Sequence, residues 1–142
     1  MGFFGLFHTK FKSKKDDFTV INISSCVIEN LKFSCDLMKI YFIYLTFGSL
    51  KEAKRLGLKL VKNKLAACTN IIPTIYSTYV WKKKTRIDKE CSMIVKTSKT
   101  KVKSAIKFIA KEHSYSCPAV SAFPIQFTHP EFRKWIEKQT KH

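Results

Sequence analysis

The feature that most constrains the fold is a pair of long, strand-like runs that follow each other almost directly. The first, "LAACTNIIPTIYSTYVW" (65–81), and the second, "RIDKECSMIVKT" (86–97), are rich in β-branched or aromatic residues. The polar segment "KKKTR" (82–86) joins them, which predicts a long β-hairpin. Pro73 cannot donate to a hydrogen-bonded ladder, so it marks an edge, a bulge or a bend. A small domain cannot cover so long a hairpin, so part of it should pack on another copy of the chain.

The segments on the two sides of the hairpin repeat one pattern, a short apolar strand and an amphipathic helix. The run "KIYFIYLTF" (39–47) predicts a buried strand, and Ser49 with Glu52 predicts a capping box at the start of the first helix. After the hairpin, "TKVKSAIKFIAKEH" (100–113) predicts a second helix and "PAVSAFPIQF" (118–127) a fourth strand. The apolar positions at helical spacing are Ala53, Leu56, Gly57, Leu60 and Val61 in the first helix, and Val102, Ala105, Ile106, Ile109 and Ala110 in the second.

A third helix is predicted at the carboxyl end, where Thr128 and Glu131 form a second capping box with Pro130 inside the first turn. The order β-α-β-β-α-β-α predicts an α+β fold of the ferredoxin-like βαββαβ type, with two helices on one face of an antiparallel four-stranded sheet. The third helix is an addition to that fold. We therefore divide the chain into this domain, residues 39–142, and an amino-terminal extension, residues 1–38, predicted to be a poorly ordered or organelle-targeting segment.

Charge is strongly unequal along the chain. The formal net charge is +17, and residues 39–142 carry 22 of the 27 Lys and Arg but six of the 10 Asp and Glu. Such a body attracts polyanions, although scattered lysines are also what a solvated helix face contains.

The longest apolar run, Ile40–Phe47, is far short of the ~20 residues that span a bilayer, so no transmembrane helix is expected. The cytoplasm is the expected compartment, with targeting through residues 1–38 as the alternative.

Five cysteines without a Cys-x-x-Cys pair favour reduced thiols over a disulfide framework or a zinc site made by one chain. Cys68 and Cys91 lie in the predicted strands, where cysteine acts as a small apolar residue.

Several segments, in order, match a known family. They are "KLAACTNIIP" (64–73), "YVW" (79–81), "DKE" with "MIVKT" (88–97), "HSYSCPAVSAFPI" (113–125) and "FRKW" (132–135). On these segments, residues 39–138 resemble the CutA divalent-cation tolerance proteins. The resemblance implies a compact homotrimer like the PII signalling proteins, in which the long hairpin completes the sheet of a neighbouring subunit. It also implies a non-enzymatic role in tolerance of copper and other divalent cations, and interface positions for Tyr76, Tyr79 and Trp81.

The metal chemistry of the family is only partly present. The resemblance places the copper ligands of the family at a Cys, a His and a Glu, and these positions correspond to Leu45, His113 and Ala119 in this chain. His113 is therefore the remaining candidate ligand, and one imidazole makes a weak copper site. Cys117 could replace a ligand, but Pro118 favours an extended backbone at residue 117, which moves Cys117 off the helical face of His113. We expect His113 to end the second helix and Cys117 to pack at the start of the fourth strand.

Two other functions use the same fold. One is a regulator that binds a small anion in a cleft between subunits, near Lys96, Tyr115 and the Trp81 of a neighbour. The other is a basic RNA-binding module, but its third strand normally carries glycine and aromatic residues that "RIDKECSMIVKT" lacks, so specific nucleic-acid binding is not expected. The turn of the hairpin also departs from the family pattern, because the family usually has glycine there and this chain has Lys83. The turn must therefore adopt a conformation that a Cβ tolerates, or it is strained.

Overall fold

The computed structural model describes residues 39–141. The prediction for residues 1–38 lies outside the described residues. Within them, the predicted element order is confirmed. The elements are β1 (Ile40–Phe47), α1 (Leu50–Lys62), β2 (Cys68–Trp81), β3 (Lys84–Ser98), α2 (Val102–Glu112), β4 (Val120–Ile125) and α3 (Pro130–Gln139).

The four strands form one sheet in the order β2-β3-β1-β4, and every neighbouring pair is antiparallel. This is the strand order of the ferredoxin-like fold, because each helix connects two strands that are not neighbours in the sheet. The central pairing runs from Ile40 opposite Ser98 to Phe47 opposite Cys91. The part of β3 before Cys91 therefore pairs with β2 alone.

Helices α1 and α2 cover one face of the sheet. Alternate residues of β1 point to this face, as the pleat of a strand requires, and they pack against the apolar sides of both helices. Ile106 is half-buried, whereas Val61 is 39% exposed and Ala110 is also exposed, so the apolar stripes are narrower than predicted. The buried cluster consists of Ile43, Leu45, Phe47, Ala53, Leu56, Leu60, Ala66, Cys91, Met93, Val95, Val102, Ala105 and Ile109.

The carboxyl-terminal helix α3 lies on the opposite face. Its one buried residue, Ile136, packs with Ile40 and Ala67, and Phe42 and Phe132 pack at the edge of this second cluster. Pro130 lies in the first turn as predicted, but the capping box does not form. The cap position is His129, without a side-chain bond to the helix, so Thr128 comes one residue too early to satisfy the first amides.

The hairpin extends well beyond the helices. No residue from 73 to 89 is buried, and we call this segment the hairpin arm. The pairing of β2 with β3 shifts register between Ile72 and Ile75, so Pro73 lies in a bulge on an edge strand, as predicted. The two turn residues, Lys82 and Lys83, have φ of 50° and 63°. A two-residue hairpin loop of the I′ type requires positive φ at both positions, and lysine adopts it at a cost that glycine avoids.

Candidate functional site

His113 ends helix α2, as predicted, and its ring has a stacked partner and a hydrogen-bond partner at each nitrogen. The backbone N–H of His113 donates to the Ile109 carbonyl, and the ring stacks on Phe47 with centroids 4.8 Å apart. Nε2 is 2.9 Å from the carbonyl oxygen of Thr46, and the N–H of Tyr115 donates to Nδ1 over 3.1 Å. A backbone amide can only donate, so Nδ1 is the acceptor and Nε2 carries the proton that binds Thr46. Both nitrogens of the imidazole are therefore already used within the chain.

Glu52 connects the start of helix α1 to the segment after helix α2. Ser49 Oγ accepts from the N–H of Glu52 at 3.2 Å, which confirms one half of the predicted capping box. The Glu52 carboxylate accepts instead from the N–H and the hydroxyl of Ser114, both at 2.8 Å. It also lies 3.9 Å from Nδ1 of His113. The carboxylate thus fixes the loop after helix α2 in place of closing the capping box.

Tyr115 joins this loop to strand β3. Its hydroxyl donates to Glu90 Oε1 at 2.8 Å, and Glu90 is itself 9% exposed. Burial, followed by the hydrogen bond to Glu90, raises the pKa of Tyr115 well above its usual value, so the phenol keeps its proton. Gly48 passes so close that a Cβ there would be 2.9 Å from the phenol oxygen. The absence of a side chain at Gly48 is what leaves room for this bond.

A second tyrosine–carboxylate pair lies on the hairpin arm, next to the pair that Tyr115 and Glu90 form. The hydroxyl of Tyr79 donates to Asp88 Oδ2 at 2.5 Å, and this bond raises the pKa of Tyr79. The charge of Glu90 acts in the same direction on Tyr79. Glu52, Asp88 and Glu90 are three of the six acidic residues of the domain, and all accept hydrogen bonds, Glu52 and Glu90 from the loop that begins at His113 and Asp88 from the arm.

These residues do not form a metal centre in one chain. Leu45 is fully buried in the core, and Ala119 is exposed with no ligand atom. Cys117 is exposed in the loop before β4, so the prediction that it packs at the strand start is wrong, because the strand begins later, at Val120. Among residues 39–141, no group of three or more His, Cys, Asp or Glu side chains could hold a metal ion.

The described cysteines are free thiols, as expected. Cys68 is half-buried, and Cys91 is buried with its Sγ 3.7 Å from the Phe47 carbonyl. Burial raises the pKa of Cys91, which disfavours the thiolate that a metal would bind.

The residues of the predicted ligand cleft have separate partners in one chain. Lys96 donates to Asn70 Oδ1 and lies over the rings of Phe42 and Phe132, with Nζ 5.9 and 5.8 Å from their centroids. Tyr115 bonds to Glu90, which precedes Lys96 on β3 by six residues, or roughly 20 Å along the strand. Trp81 lies at the tip of the arm and is 44% exposed. A site that uses all three residues needs more than one copy of the chain.

Comparison with known proteins agrees with this architecture. The model of the CutA1 divalent ion tolerance family matches residues 41–139. The chain belongs to the CutA family. The divalent-cation tolerance protein CutA of Archaeoglobus fulgidus is 41% identical over 97 residues, which are 68% of this chain and 94% of that protein. Protein CutA 1, chloroplastic, of rice is 29% identical over 122 residues, 86% of this chain and 69% of the relative.

Solved CutA structures share the fold. Divalent ion tolerance protein CutA1 of Ehrlichia chaffeensis superimposes with a TM-score of 0.71 at 31% identity, over 74% of this chain and 98% of that one. The periplasmic divalent cation tolerance protein CutA of A. fulgidus gives 0.69 at 38% identity, over 72% and 99% of the two chains. No helix among residues 39–141 is long and apolar enough to cross a membrane.

Two contacts of this CutA chain were missed by sequence reasoning. The Glu52–Ser114 and Tyr115–Glu90 bonds join residues 62 and 25 positions apart. No periodicity or short motif relates such positions. The one available pointer was Glu52 itself, which sequence analysis assigned to a local cap.

Proposed function

We propose that this CutA chain is a non-enzymatic divalent-cation tolerance protein that works as a homotrimer. The observation that carries the proposal is the uncovered hairpin arm. The part of β3 before Cys91 pairs with β2 alone, so the arm is a two-stranded ribbon, and a lone two-stranded ribbon is marginally stable in water. An arm that is ordered in the functional protein therefore needs a partner surface.

The arm carries the side chains that such an interface requires. Tyr76, Val80 and Ile87 are 73%, 68% and 71% exposed, and Tyr79 and Trp81 are 40% and 44% exposed. By the alternation of a strand, the first three lie on one face of the ribbon and the last two on the other. Tyrosine and tryptophan are enriched in interfaces. Packing of both faces on other copies, as the CutA resemblance implies, would remove this apolar area from water.

Sedimentation of the full chain tests the assembly. We expect a trimer at moderate salt and a shift toward monomer at low salt, because three basic bodies repel one another more when screening is weak. Ile87→Asp places a charge in the proposed interface and should raise the dissociation constant at least about 100-fold. Leu58→Asp is the matched control, since Leu58 is 57% exposed but lies on helix α1. A monomeric wild-type chain, or equal loss in the two variants, would contradict the proposal.

Direct copper binding in this chain is proposed to be weak. His113 would have to give up its bond from Tyr115 before Nδ1 could bind a metal, and neither Leu45 nor Ala119 offers a ligand atom. Calorimetric titration of protein purified without a histidine tag should therefore show copper(II) affinity weaker than that of a CutA protein that keeps the Cys and the Glu. Submicromolar binding that disappears in His113→Ala, with an unchanged circular dichroism spectrum, would refute this expectation.

Two finer proposals concern ligand and location. A small anion bound between subunits near Lys96, Tyr115 and Trp81 is the second candidate function, and its support is that these side chains have no common partner within one chain. A thermal-shift screen of nucleotides and metabolites tests it, and no stabilisation would count against it. We propose that the protein lies in the cytoplasm, with targeting to an organelle through residues 1–38 as the alternative. A fluorescent protein fused to residues 1–38 tests this, because its accumulation in an organelle would favour the alternative.

A further inference from the structure

The outer surface of helices α1 and α2 carries a large share of the unbalanced charge of the domain. Both helices lie on the same face of the sheet and meet where Glu112 contacts Arg55 and Lys59. We call their solvent side the basic helix layer. Its eight cations are Lys51, Lys54, Arg55, Lys59, Lys62, Lys103, Lys107 and Lys111.

Acidic residues do little to balance this layer. Glu112 is the one carboxylate between its helices, and hydrogen bonds from Lys59 and Arg55 lower the pKa of Glu112, which keeps it charged. Glu52 is turned to Ser114 at the edge of the layer. Counting the eight cations against Glu52 and Glu112 gives the two helices a formal charge of +6.

The third helix shows that this charge is not a uniform property of the chain. Helix α3 has the exposed cations Arg133, Lys134 and Lys138, but Glu131 and Glu137 balance two of them. A general excess of lysine would have made every exposed helix equally basic. Helix α3 is instead nearly balanced, and the two-helix layer is the more basic of the two helical surfaces.

The basic layer also exposes apolar side chains. Leu58 is 57% exposed and lies one turn from Lys54 on one side and from Lys62 on the other. Val61, three residues after Leu58, is 39% exposed. On an anionic membrane surface, such a leucine can enter the boundary between headgroups and acyl chains while the lysines beside it stay among the charged headgroups.

The same features fit nucleic acid less well. Helix α1 contains no aromatic residue, and Phe108, the one aromatic of α2, is half-buried against the core, so the layer offers no platform for stacking bases. Arg55, the one arginine, already uses its guanidinium on the carboxylate and the carbonyl of Glu112. The lysines that remain act as point charges, which suits diffuse attraction to a charged plane.

We propose that the basic helix layer binds the surface of an anionic phospholipid bilayer, with Leu58 inserted among the headgroups. Helices α1 and α2 lie side by side on one face of the sheet, so their outer sides point the same way. This binding is separate from metal tolerance and needs no transmembrane segment. It requires one chain only, so it holds whether or not the arm assembles a trimer.

Vesicle co-sedimentation of the full chain tests the proposal. At about 0.1 M salt, we expect binding to vesicles of equal parts phosphatidylserine and phosphatidylcholine and little binding to phosphatidylcholine alone. Each lysine near an anionic surface contributes about a fivefold change in affinity, so Lys51→Glu, Lys54→Glu and Lys62→Glu together should weaken binding at least about 100-fold. The control, Arg133→Glu, Lys134→Glu and Lys138→Glu, makes the same change in net charge on helix α3 and should keep most of the binding. Equal loss in the two triple variants would overturn the proposal, since net charge alone would then explain the attraction.

A single apolar substitution separates a membrane from a nucleic acid. Leu58→Ser keeps every charge and removes an exposed side chain, so the fold should be unaffected. We expect it to weaken vesicle binding several-fold and to leave binding of a single-stranded RNA homopolymer, the comparison probe, unchanged. If Leu58→Ser has no effect on vesicles, or if the RNA binds more tightly than the vesicles at equal salt, the membrane assignment is wrong.

Discussion

The two halves of the hairpin have similar strand-forming sequences but opposite environments. Near the base, Met93 and Val95 of β3 are fully buried, because β1 pairs alongside and helices α1 and α2 cover the face. In the arm, Val80 and Ile87 are mostly exposed, because β1 has ended at Phe47 and no helix reaches that far. β-branched and aromatic residues thus form a core in one half and an uncovered surface in the other.

This difference shows what an exposed apolar strand indicates. Such a strand is not a failed core, because beyond the bulge at Pro73 its pairing is unbroken from Ile75 opposite Glu90 to Trp81 opposite Lys84. An exposed apolar surface of this kind is typical of an interaction site, which is the role proposed for the arm above. We therefore expect substitutions in the base to act on the unfolding of each chain, and substitutions in the arm to act on association.

The largest effect should separate the two halves directly. Leu56→Ala removes a fully buried side chain from the core and should lower the free energy of unfolding by about 2–5 kcal/mol. Ile87→Ala, in the arm, should change it by no more than about 0.5 kcal/mol when the protein is dilute enough to be monomeric. Urea unfolding of both variants at two protein concentrations measures this. A cost for Ile87→Ala above about 2 kcal/mol in the monomer would show that the arm belongs to the core.

A smaller effect is expected where the two halves meet, at Tyr115. Tyr115→Phe leaves the buried Glu90 carboxylate without this donor and should cost about 1–2 kcal/mol in thermal or urea unfolding. Tyr79→Phe is a matched control, since Tyr79 also donates to a carboxylate but lies in the arm. Its cost should be smaller. The reverse order would contradict the distinction between the two halves.

The pH dependence of the Tyr115 contribution has a defined sign. The pKa of Tyr115 is raised in the folded state, so its contribution is fully present below the unfolded pKa of about 10 and is lost as pH rises through the higher folded pKa. The stability difference between wild type and Tyr115→Phe should therefore be constant near neutral pH and shrink in alkali. A difference that grows above about pH 10 would contradict the assigned bond.

The smallest effect concerns the turn of the arm. Lys83→Gly relieves the left-handed backbone conformation of Lys83, which costs a residue with a Cβ ~1–2 kcal/mol. Glycine also gives the unfolded chain more backbone freedom, which lowers the stability by ~0.5–1 kcal/mol. We expect a net gain of about 0.5 kcal/mol or slightly more. Lys84→Gly, one residue later and outside the positive-φ turn, should lose stability instead. If both variants lose stability equally, the turn strain is absent.

Sequence analysis succeeded where a property is local. Strand alternation, the Ser49 cap, the bulge at Pro73 and the end of helix α2 at His113 each depend on a few neighbouring residues. It failed at Thr128, where a one-residue difference in the helix start removes the cap, and at Cys117, whose exposure depends on where the next strand begins.

The site after helix α2 required the tertiary structure. The order of elements and the family segments by themselves determined the ferredoxin-like fold and the place of His113, because hydrophobic periodicity acts within each element. They did not determine that Glu52 binds Ser114, that Tyr115 binds Glu90, or that both nitrogens of His113 are engaged. Those contacts join side chains from separate elements, and their geometry exists only once helix α1, helix α2 and the sheet have packed together.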